Sequence, residues 1–582
     1  MGVFSWIRRQ LRGTPSNQRQ PVPPPGAGRL TPREWLVRKG KKSEQPRPDG
    51  QPIVRELDGN VERLKEMLGR DNVDVIIREF AIGTQPPLRA ALFFIEGLAD
   101  RITHIEGIVQ PLMILSTELA GRGRPPAEEA IEVIKTQLLP SNEAVAVTTL
   151  EEAIDHVLTG ESAVFVDGAN EAIIIETRGW KSRSVEQPET ESLIRGPREA
   201  FTEVIRFNTA LIRRRIRDPQ LRLDAMRCGV RSRTDLIVGY IHGLTDPDLV
   251  AQVKRRIAAI NVDIIPDSGY IEQFIEDRPF SPFPQIQYTE RPDRVAAALA
   301  EGRVIVMADG SPLALIIPST FTTFLHAADD YYERPLVAVF FRFIRSLAAL
   351  ISLTLPAFYI AVTTFHQEML PTELVLAFAA ARSRVPFPAI VEILLMEVSL
   401  ELVREAGLRL PSPAGQTVGI VGALLLGQAS VQAQIVSPII VIVVALTALA
   451  SFAVPHYSAG IALRILRFVL IILGATLGLF GVMAGLVAIT IHLASLTSLG
   501  TPYLTPMAPF RPKSALQDTT LRAPVWLHDE RPGWLHPRND RRQKPVVRSW
   551  TAAGQRSEQG GRGSGRKSGA KGGRGGKGGE GR

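Results

Sequence analysis

SLAALISLTLPAFYIAVTTF, residues Ser346 to Phe365, holds no charged side chain. At about 1.5 Å of rise per helical residue, this stretch reaches across the ~30 Å hydrocarbon core of a bilayer. Further apolar runs follow at Gly415 to Gln434, Pro438 to Pro455 and Phe468 to Leu493. A helix of a water-soluble protein keeps a polar face, and these runs have none over lengths that a buried core helix rarely reaches. Residues 335–500 therefore read as a transmembrane α-helical domain of four or five spans. The number depends on whether Pro386 to Pro411 crosses the membrane.

The remainder is hydrophilic, so the mean hydropathy of +0.06 and the 45% hydrophobic content average two unlike regions. The formal net charge of +9 is concentrated at the ends. Residues 1–52 form a basic extension and residues 510–582 a basic tail closing in GGRGSGRKSGAKGGRGGKGGEGR. Neither carries enough apolar surface to offset chain entropy, so both are expected to be disordered. The tail has no Phe or Tyr interleaved with its cations for base stacking, so a nucleic-acid partner is not expected. The single cysteine, Cys228, excludes an internal disulfide framework. MGVFSWIRRQLRG lacks an apolar signal-peptide core, and Trp6 stands where a myristoylation signal wants Ser or Thr. With Arg334, Arg342 and Arg345 preceding the first span, the soluble region is expected in the cytoplasm.

Between the basic extension and the membrane domain, short β-rich runs alternate with amphipathic helical stretches, an α/β pattern. The pattern repeats. ALFFIEGLADR (Ala91 to Arg101) resembles IVGYIHGLTDP (Ile237 to Pro247), pairing Gly97 with Gly243 and Asp100 with Asp246. TGESAVFVDG (Thr159 to Gly168) resembles EGRVIVMADG (Glu301 to Gly310), pairing Gly160 with Gly302 and Asp167 with Asp309. Two matches in the same order predict two similar α/β lobes, over 53–180 and 193–330. Asp100 and Asp246 are positioned to cap helices, and the Asp-Gly pairs suit two-residue hairpin turns. A ligand cleft between the lobes is the less favoured alternative reading of these turns.

Arg195 to Pro219 reads as one long helix whose Arg213, Arg214, Arg215 and Arg217 either complement the helix dipole or meet a neighbouring subunit. SPFPQIQYTERPD (Ser281 to Asp293) is Pro-rich and reads as a connecting arm. No GxGxxG, Walker A or metal-spaced Cys/His pattern accompanies the two lobes, and no nucleophile elbow or paired-acid motif appears. No enzyme activity, metal or cofactor is expected.

In the membrane domain, Gly474, Gly478, Gly481 and Gly485 give two GxxxG spacings suited to close helix packing. Gln428, Gln432 and Gln434 need protein, water or headgroups around them. Pro386 to Pro411 carries Glu392, Glu397, Glu401 and Glu405. The last three recur every fourth residue and share a face, with Arg404 near enough to pair. That face should meet water, either flat at the interface or lining a pore in which carboxylates attract cations. Val398 and Leu402, beside it, could supply a hydrophobic constriction.

Several runs carry a family likeness. LIRGPREAFTEVIRFNTALIRRRIRDPQL, DSGYIEQFIEDRPFSPFPQIQYTERPDRVAAAL, VPFPAIVEILLMEVSLELVREAGLRLPSPAGQTVGIVGALLLGQASVQAQIVSP and ALASFAVPHY resemble the A subunit of GerA-type spore germination receptors. The likeness runs from about Val54 to Pro509 and leaves out both basic extensions. It implies a homo-oligomeric, nutrient-responsive cation channel in the spore inner membrane, working with a transporter-like B subunit and a lipoprotein C subunit. It therefore favours the pore reading of Glu397, Val398, Glu401, Leu402 and Glu405. The stage V sporulation A paralogue of the A subunit, and a non-conducting scaffold, are the alternatives. Gln432 departs from the acidic residue that related sequences often carry after GQA, which bears on ion selectivity.

Overall fold

The computed structural model describes residues 50–82, 87–114, 131–132, 134, 144–179, 188, 190–409, 422, 426–519 and 521–543. Most of the two basic extensions and much of the run Gly415 to Gln434 lie outside the described residues. The chain divides into two units. The larger takes Gln51–Ala523 with Arg531–Asp540, and the other includes Pro524–Glu530 and both chain ends. Among its described residues the smaller unit holds a single 3-10 turn, Val525–Leu527. Everything below concerns the larger unit.

The first lobe opens with helix α1 (Leu57–Leu68), whose Leu57, Val61, Leu64 and Leu68 fall on one buried stripe. Strands β1 (Val75–Ile82) and β2 (Leu88–Ile95) form a hairpin, followed by a helical run α2 in three stretches, Arg101–His104, Ile105–Val109 and Gln110–Ile114. Then come β3 (Ala144–Val147), α3 (Leu150–Val157), β4 (Ser162–Val166) and β5 (Ala172–Ile175). The second lobe repeats the series with α4 (Ile205–Arg215), β6 (Leu221–Cys228), β7 (Thr234–Ile241), α5 (Pro247–Ala258), an added α6 (Ser268–Ile275), β8 (Gln287–Thr289), α7 (Pro292–Glu301), β9 (Val304–Ala308) and β10 (Ala314–Ile317). The sheets are antiparallel, with strand orders β1-β2-β4-β5-β3 and β6-β7-β9-β10-β8. Helices cover both faces of each. In the second lobe α4 and α7 pack on one face, and α5 and α6 on the other.

The same local chemistry recurs in both lobes. Neither α1 nor α4 has a capping side chain at its own N-cap, Glu56 or Val204. Instead an aspartate from the distant β4–β5 or β9–β10 loop accepts from the first helical N–H: Leu57 N to Asp167 Oδ1 at 3.3 Å, and Ile205 N to Asp309 Oδ1 at 3.2 Å. Asn60 and Asn208 make matching pairs of bonds to the backbone of Val54 and Thr202. This corrects the two-residue hairpin reading of Asp167-Gly168 and Asp309-Gly310. Both sit in longer loops, because the aspartate reaches back to a helix terminus whose unpaired N–H groups need an acceptor.

The lobes are joined by a buried ion pair. Arg213 of α4 donates from Nε and Nη2 to Asp74, at 2.6 and 3.1 Å, and both side chains are almost fully buried. Asn72 bonds Leu223 N and Leu221 O, so the segment before β1 extends the edge of β6. Arg214 and Arg215 pair with Glu199. Helix α4 is therefore shorter than Arg195 to Pro219, and these three arginines are used within the chain rather than offered to a neighbouring subunit. The connecting-arm reading of Ser281 to Asp293 is also corrected, since Gln287–Thr289 is strand β8, paired with β10.

Beyond lobe 2, α8 (Phe321–Leu325) and α9 (Asp329–Tyr332) lead into the 31-residue α10 (Pro335–Phe365). Asp330 anchors the join. It accepts from Arg345 at 2.7 and 2.6 Å and from Arg342 Nε at 3.0 Å. Burial alone would push its pKa up, but the Arg345 hydrogen bonds and the Arg342 charge outweigh it and hold the carboxyl below the usual range. Then follow α11 (Thr372–Arg382), α12 (Ala389–Arg409), α13 (Pro438–Phe452) and α14 (Tyr457–Ser495). Two of these helices, α10 and α14, are long and apolar enough to cross a membrane, and α13 is a shorter apolar helix.

Helix α14 is not one rod. Gly478 has φ +62° inside it, and the chain turns back there. A Cβ on Gly481 would strike Leu473, and one on Gly485 would strike Leu470, so the two arms, 457–477 and 479–495, lie side by side. The continuous GxxxG helix expected from the sequence is corrected to a hairpin whose glycines let its own arms touch. Gly474 performs the same service toward α10, where a Cβ would lie 2.7 Å from Ala357 O. The expected disordered tail is corrected as well, over 510–543. Trp534 and Leu535 are buried, Arg303 stacks on the Trp534 ring at 5.2 Å, and Arg538 N donates to Leu244 O at 3.0 Å. These apolar and backbone contacts offset the cost of ordering the segment.

Asp167→Ala and Asp309→Ala each remove one acceptor from a helix start and are expected to destabilise the chain by about 1 kcal/mol. The check is the thermal unfolding midpoint of the purified full chain, which both variants should lower by similar amounts. An unchanged midpoint in either would show that its cap does not contribute.

Candidate functional site

Helix α12 carries the acids singled out in the sequence, and each meets a different environment. Glu392 is buried, accepts from Ser437 N at 2.8 Å at the start of α13, and lies 3.4 Å from Arg382. A carboxylate at a helix N-terminus answers both the unpaired N–H and the dipole. Glu397 is 0% exposed and faces Arg467 on the first arm of α14, itself 0% exposed, at 3.2 Å. Glu401 is partly exposed and accepts from Arg404 at 2.8 Å and Arg464 at 3.1 Å, with Arg467 at 3.4 Å. Glu405, exposed, pairs with Arg409 at 2.6 Å.

The expectation that Glu397 and Glu401 meet water on a common face is therefore corrected for Glu397. Its charge is met by protein instead. Two carboxylates, Glu397 and Glu401, face three guanidiniums, Arg404, Arg464 and Arg467, so this part of the helix presents no excess negative charge. The sequence reading missed Arg464 and Arg467. The signal was there, since cations inside an apolar run imply an acidic partner in another helix.

Val398 and Leu402 lie on the adjoining face, about 100° around the helix from Glu397 and Glu401. With Val391 and Leu395 they form an exposed apolar stripe at spacings of four, three and four, and Leu402 is the most exposed of them at 66%. Glu405 continues the stripe at its C-terminal end. Helix α12 thus has one face fixed by ion pairs and an adjoining apolar face that is exposed among the described residues. Gln432 and Gln434 are exposed. Gly474, Gly478, Gly481 and Gly485 are all buried inside the chain, at the hairpin and against α10. Among the described residues no group of three His, Cys, Asp or Glu side chains is placed to hold a metal ion.

The hairpin is tied to lobe 2 at both ends. At its start, the Gln287 amide oxygen, in the orientation its neighbours require, accepts from His456 Nε2 at 2.9 Å and Arg294 Nε at 3.0 Å. Burial and the Arg294 charge push the His456 pKa well down. At its end, His492 Nε2 meets the Ser281 hydroxyl at 2.9 Å and Arg278 donates to Ser495 Oγ at 3.1 Å.

A family model described as Bacillus/Clostridium GerA spore germination protein matches residues 62–534. Spore germination protein KA of Bacillus subtilis (strain 168) is 43% identical over 484 residues, covering 82% of this chain and 87% of that protein. The uncharacterized membrane protein YfkQ of the same strain is 42% identical over 489 residues, covering 83% and 92%. Among solved structures, the N-terminal domain of the A subunit of the Bacillus megaterium spore germinant receptor GerK3 is 33% identical, covers 47% of this chain and 98% of that one, and has a TM-score of 0.36.

Removing one partner of a buried ion pair leaves the other charge uncompensated, at a loss of about 3–5 kcal/mol. Glu397→Gln and Arg467→Met are each expected to destabilise the detergent-solubilised chain by that order, whereas the double variant recovers most of the loss. Additive losses in the double variant, measured by thermal unfolding, would mean that the two side chains do not act as a pair.

Proposed function

The chain belongs to the GerA family of spore germination proteins, and we propose that it is a germinant-receptor A subunit whose copies close around a shared axis as a cation channel. The observation that carries this reading is the division of α12 into a face bound by Glu397–Arg467 and Glu401 and a bare face of Val391, Leu395, Val398 and Leu402. Copies arranged about an axis would bring the bare faces together, with Val398 and Leu402 at the constriction and Glu405 supplying a ring of carboxylates beyond it. Glu397 and Glu401 hold the helix at the correct angle rather than line the path. The assembly partners are further copies of the chain, a transporter-like B subunit and a lipoprotein C subunit, in the spore inner membrane.

The contacts also favour a particular membrane topology. Glu392 meets the start of α13 at Ser437, and Arg404 donates to Ser451 near its end, so α12 and α13 run parallel. Parallel neighbours need a return crossing between them, and Gly415 to Gln434 is the sequence's candidate for it. With α10 and the two arms of α14, the count becomes six, in place of four or five. Both ends of the hairpin meet lobe 2, which agrees with an even number of crossings and a soluble region on the same side as the C-terminal segment. Arg334, Arg342 and Arg345 at the start of α10 favour the cytoplasm for that side.

The purified full chain in proteoliposomes gives the test, read as potassium efflux with an entrapped ion-sensitive dye. Val398→Ala should widen the apolar constriction and raise basal leak several-fold, and Glu405→Gln should lower cation flux through the leaky variant. Unchanged leak in Val398→Ala and Leu402→Ala, at normal protein level, would remove α12 from the ion path.

A further inference from the structure

A cavity of about 310 Å³ lies where lobe 2 meets the membrane helices, within the size range of small-molecule sites. Its apolar wall comes from Phe321 and Leu325 of α8, Leu350 and Leu353 of α10, Leu463 of the hairpin, and Met507. Its polar end is formed by His326 and Arg342. His326 Nε2 is bonded to Thr519 O at 2.9 Å, while burial and the Arg342 charge push its pKa down to about 4, so the ring is neutral. The protonated Nε2 then donates to that carbonyl.

Arg342 is 2% exposed and uses Nε on Asp330 and Nη1 on Asp518 and Thr519 O. Its Nη2 is buried with no hydrogen-bond partner among the described residues. An unsatisfied buried donor is costly and calls for an acceptor. Since Asp330 and Asp518 already balance the guanidinium charge, a neutral carbonyl oxygen suits it better than a further anion. Two lining residues, Leu350 and Met507, are about half exposed, and Leu350 is in register with the exposed Leu347 and Phe343 one and two turns earlier on α10. That face of a spanning helix is bounded by acyl chains.

We propose that this cavity binds one acyl chain of a bilayer phospholipid, with the ester carbonyl accepting from Arg342 Nη2. The site would couple lipid occupancy to the Asp330–Arg342–Asp518 junction between lobe 2, α10 and the C-terminal segment. It does not depend on whether the chain conducts ions.

The test uses the full chain in nanodiscs containing phosphatidylcholine with a diazirine on one acyl chain, and in parallel a free diazirine-bearing fatty acid in unlabelled nanodiscs. In the unmodified chain, photolabelling by the phospholipid should be several-fold denser on 321–326 and 342–353 than around Val487, which is exposed on the second hairpin arm. Leu350→Trp at the mouth and Ala349→Phe within the cavity should abolish that excess while leaving Val487 labelling and the thermal midpoint unchanged. Labelling no denser at the cavity than at Val487 in the unmodified chain overturns the proposal whatever the variants do. So does an excess that persists in a folded variant, or one seen with the free fatty acid and not with the phospholipid.

Discussion

A carboxylate buried among apolar helices has to find a cation, and the Glu397–Arg467 contact is the constraint on which the packing of these helices depends. Both side chains are fully buried, so neither can fall back on water. The contact fixes which face of α12 turns inward, and it draws the first hairpin arm alongside. Glu401 adds a second point of attachment through Arg464 and Arg404, one turn further on. With those acids turned inward, Val391, Leu395, Val398 and Leu402 fall on an adjoining face, and that face is exposed.

Gly478 ties the far end of the hairpin back to lobe 2. A straight helix from Tyr457 would carry its second half away from lobe 2, whereas the reversal at φ +62° returns the chain to meet Ser281 and Arg278. A side chain at that position would be strained in φ and would also strike Phe365 and His366 at the end of α10. The close approach of the arms then needs the small residues at Gly481 and Gly485. Four glycines whose sequence spacing suggests association between helices of different chains are consumed within one chain.

Much of the soluble architecture was legible in the sequence because backbone requirements repeat with the fold. Gly97 and Gly243, Gly160 and Gly302, and Gly168 and Gly310 all have positive φ, so the paired motifs marked equivalent turns. The apolar runs marked α10, α13 and α14 for the same reason that makes hydropathy informative, namely that backbone and side chains must both suit lipid. What escaped was long-range. The reach of Asp167 and Asp309 to a helix start more than a hundred residues away has no local signature, and the same holds for Arg213 finding Asp74 across the lobes. Strand β8 was hidden because its three residues sit in a Pro-rich segment and gain their pairing only from β10. The fold at Trp534 was masked by the basic composition around it. In the candidate site the acids of α12 were visible, but which cations they meet was not, because Arg464 and Arg467 lie more than sixty residues away on another helix.

The same contacts define how the soluble and membrane parts can communicate. Lobe 2 touches the hairpin through Gln287 with His456 and through Ser281 with His492, and it holds α10 through Asp330. From His456 to Arg464 the helix rises only about 12 Å. A continuous helical arm therefore joins the residue that β8 holds to the arginines that grip Glu401 and Glu397. A rigid helix transmits translation and rotation with little loss, while a buried ion pair resists separation far more strongly than apolar contacts resist sliding. Lobe 2 is thus linked to α12 without touching it, through the hairpin arm whose Arg464 and Arg467 bind Glu401 and Glu397.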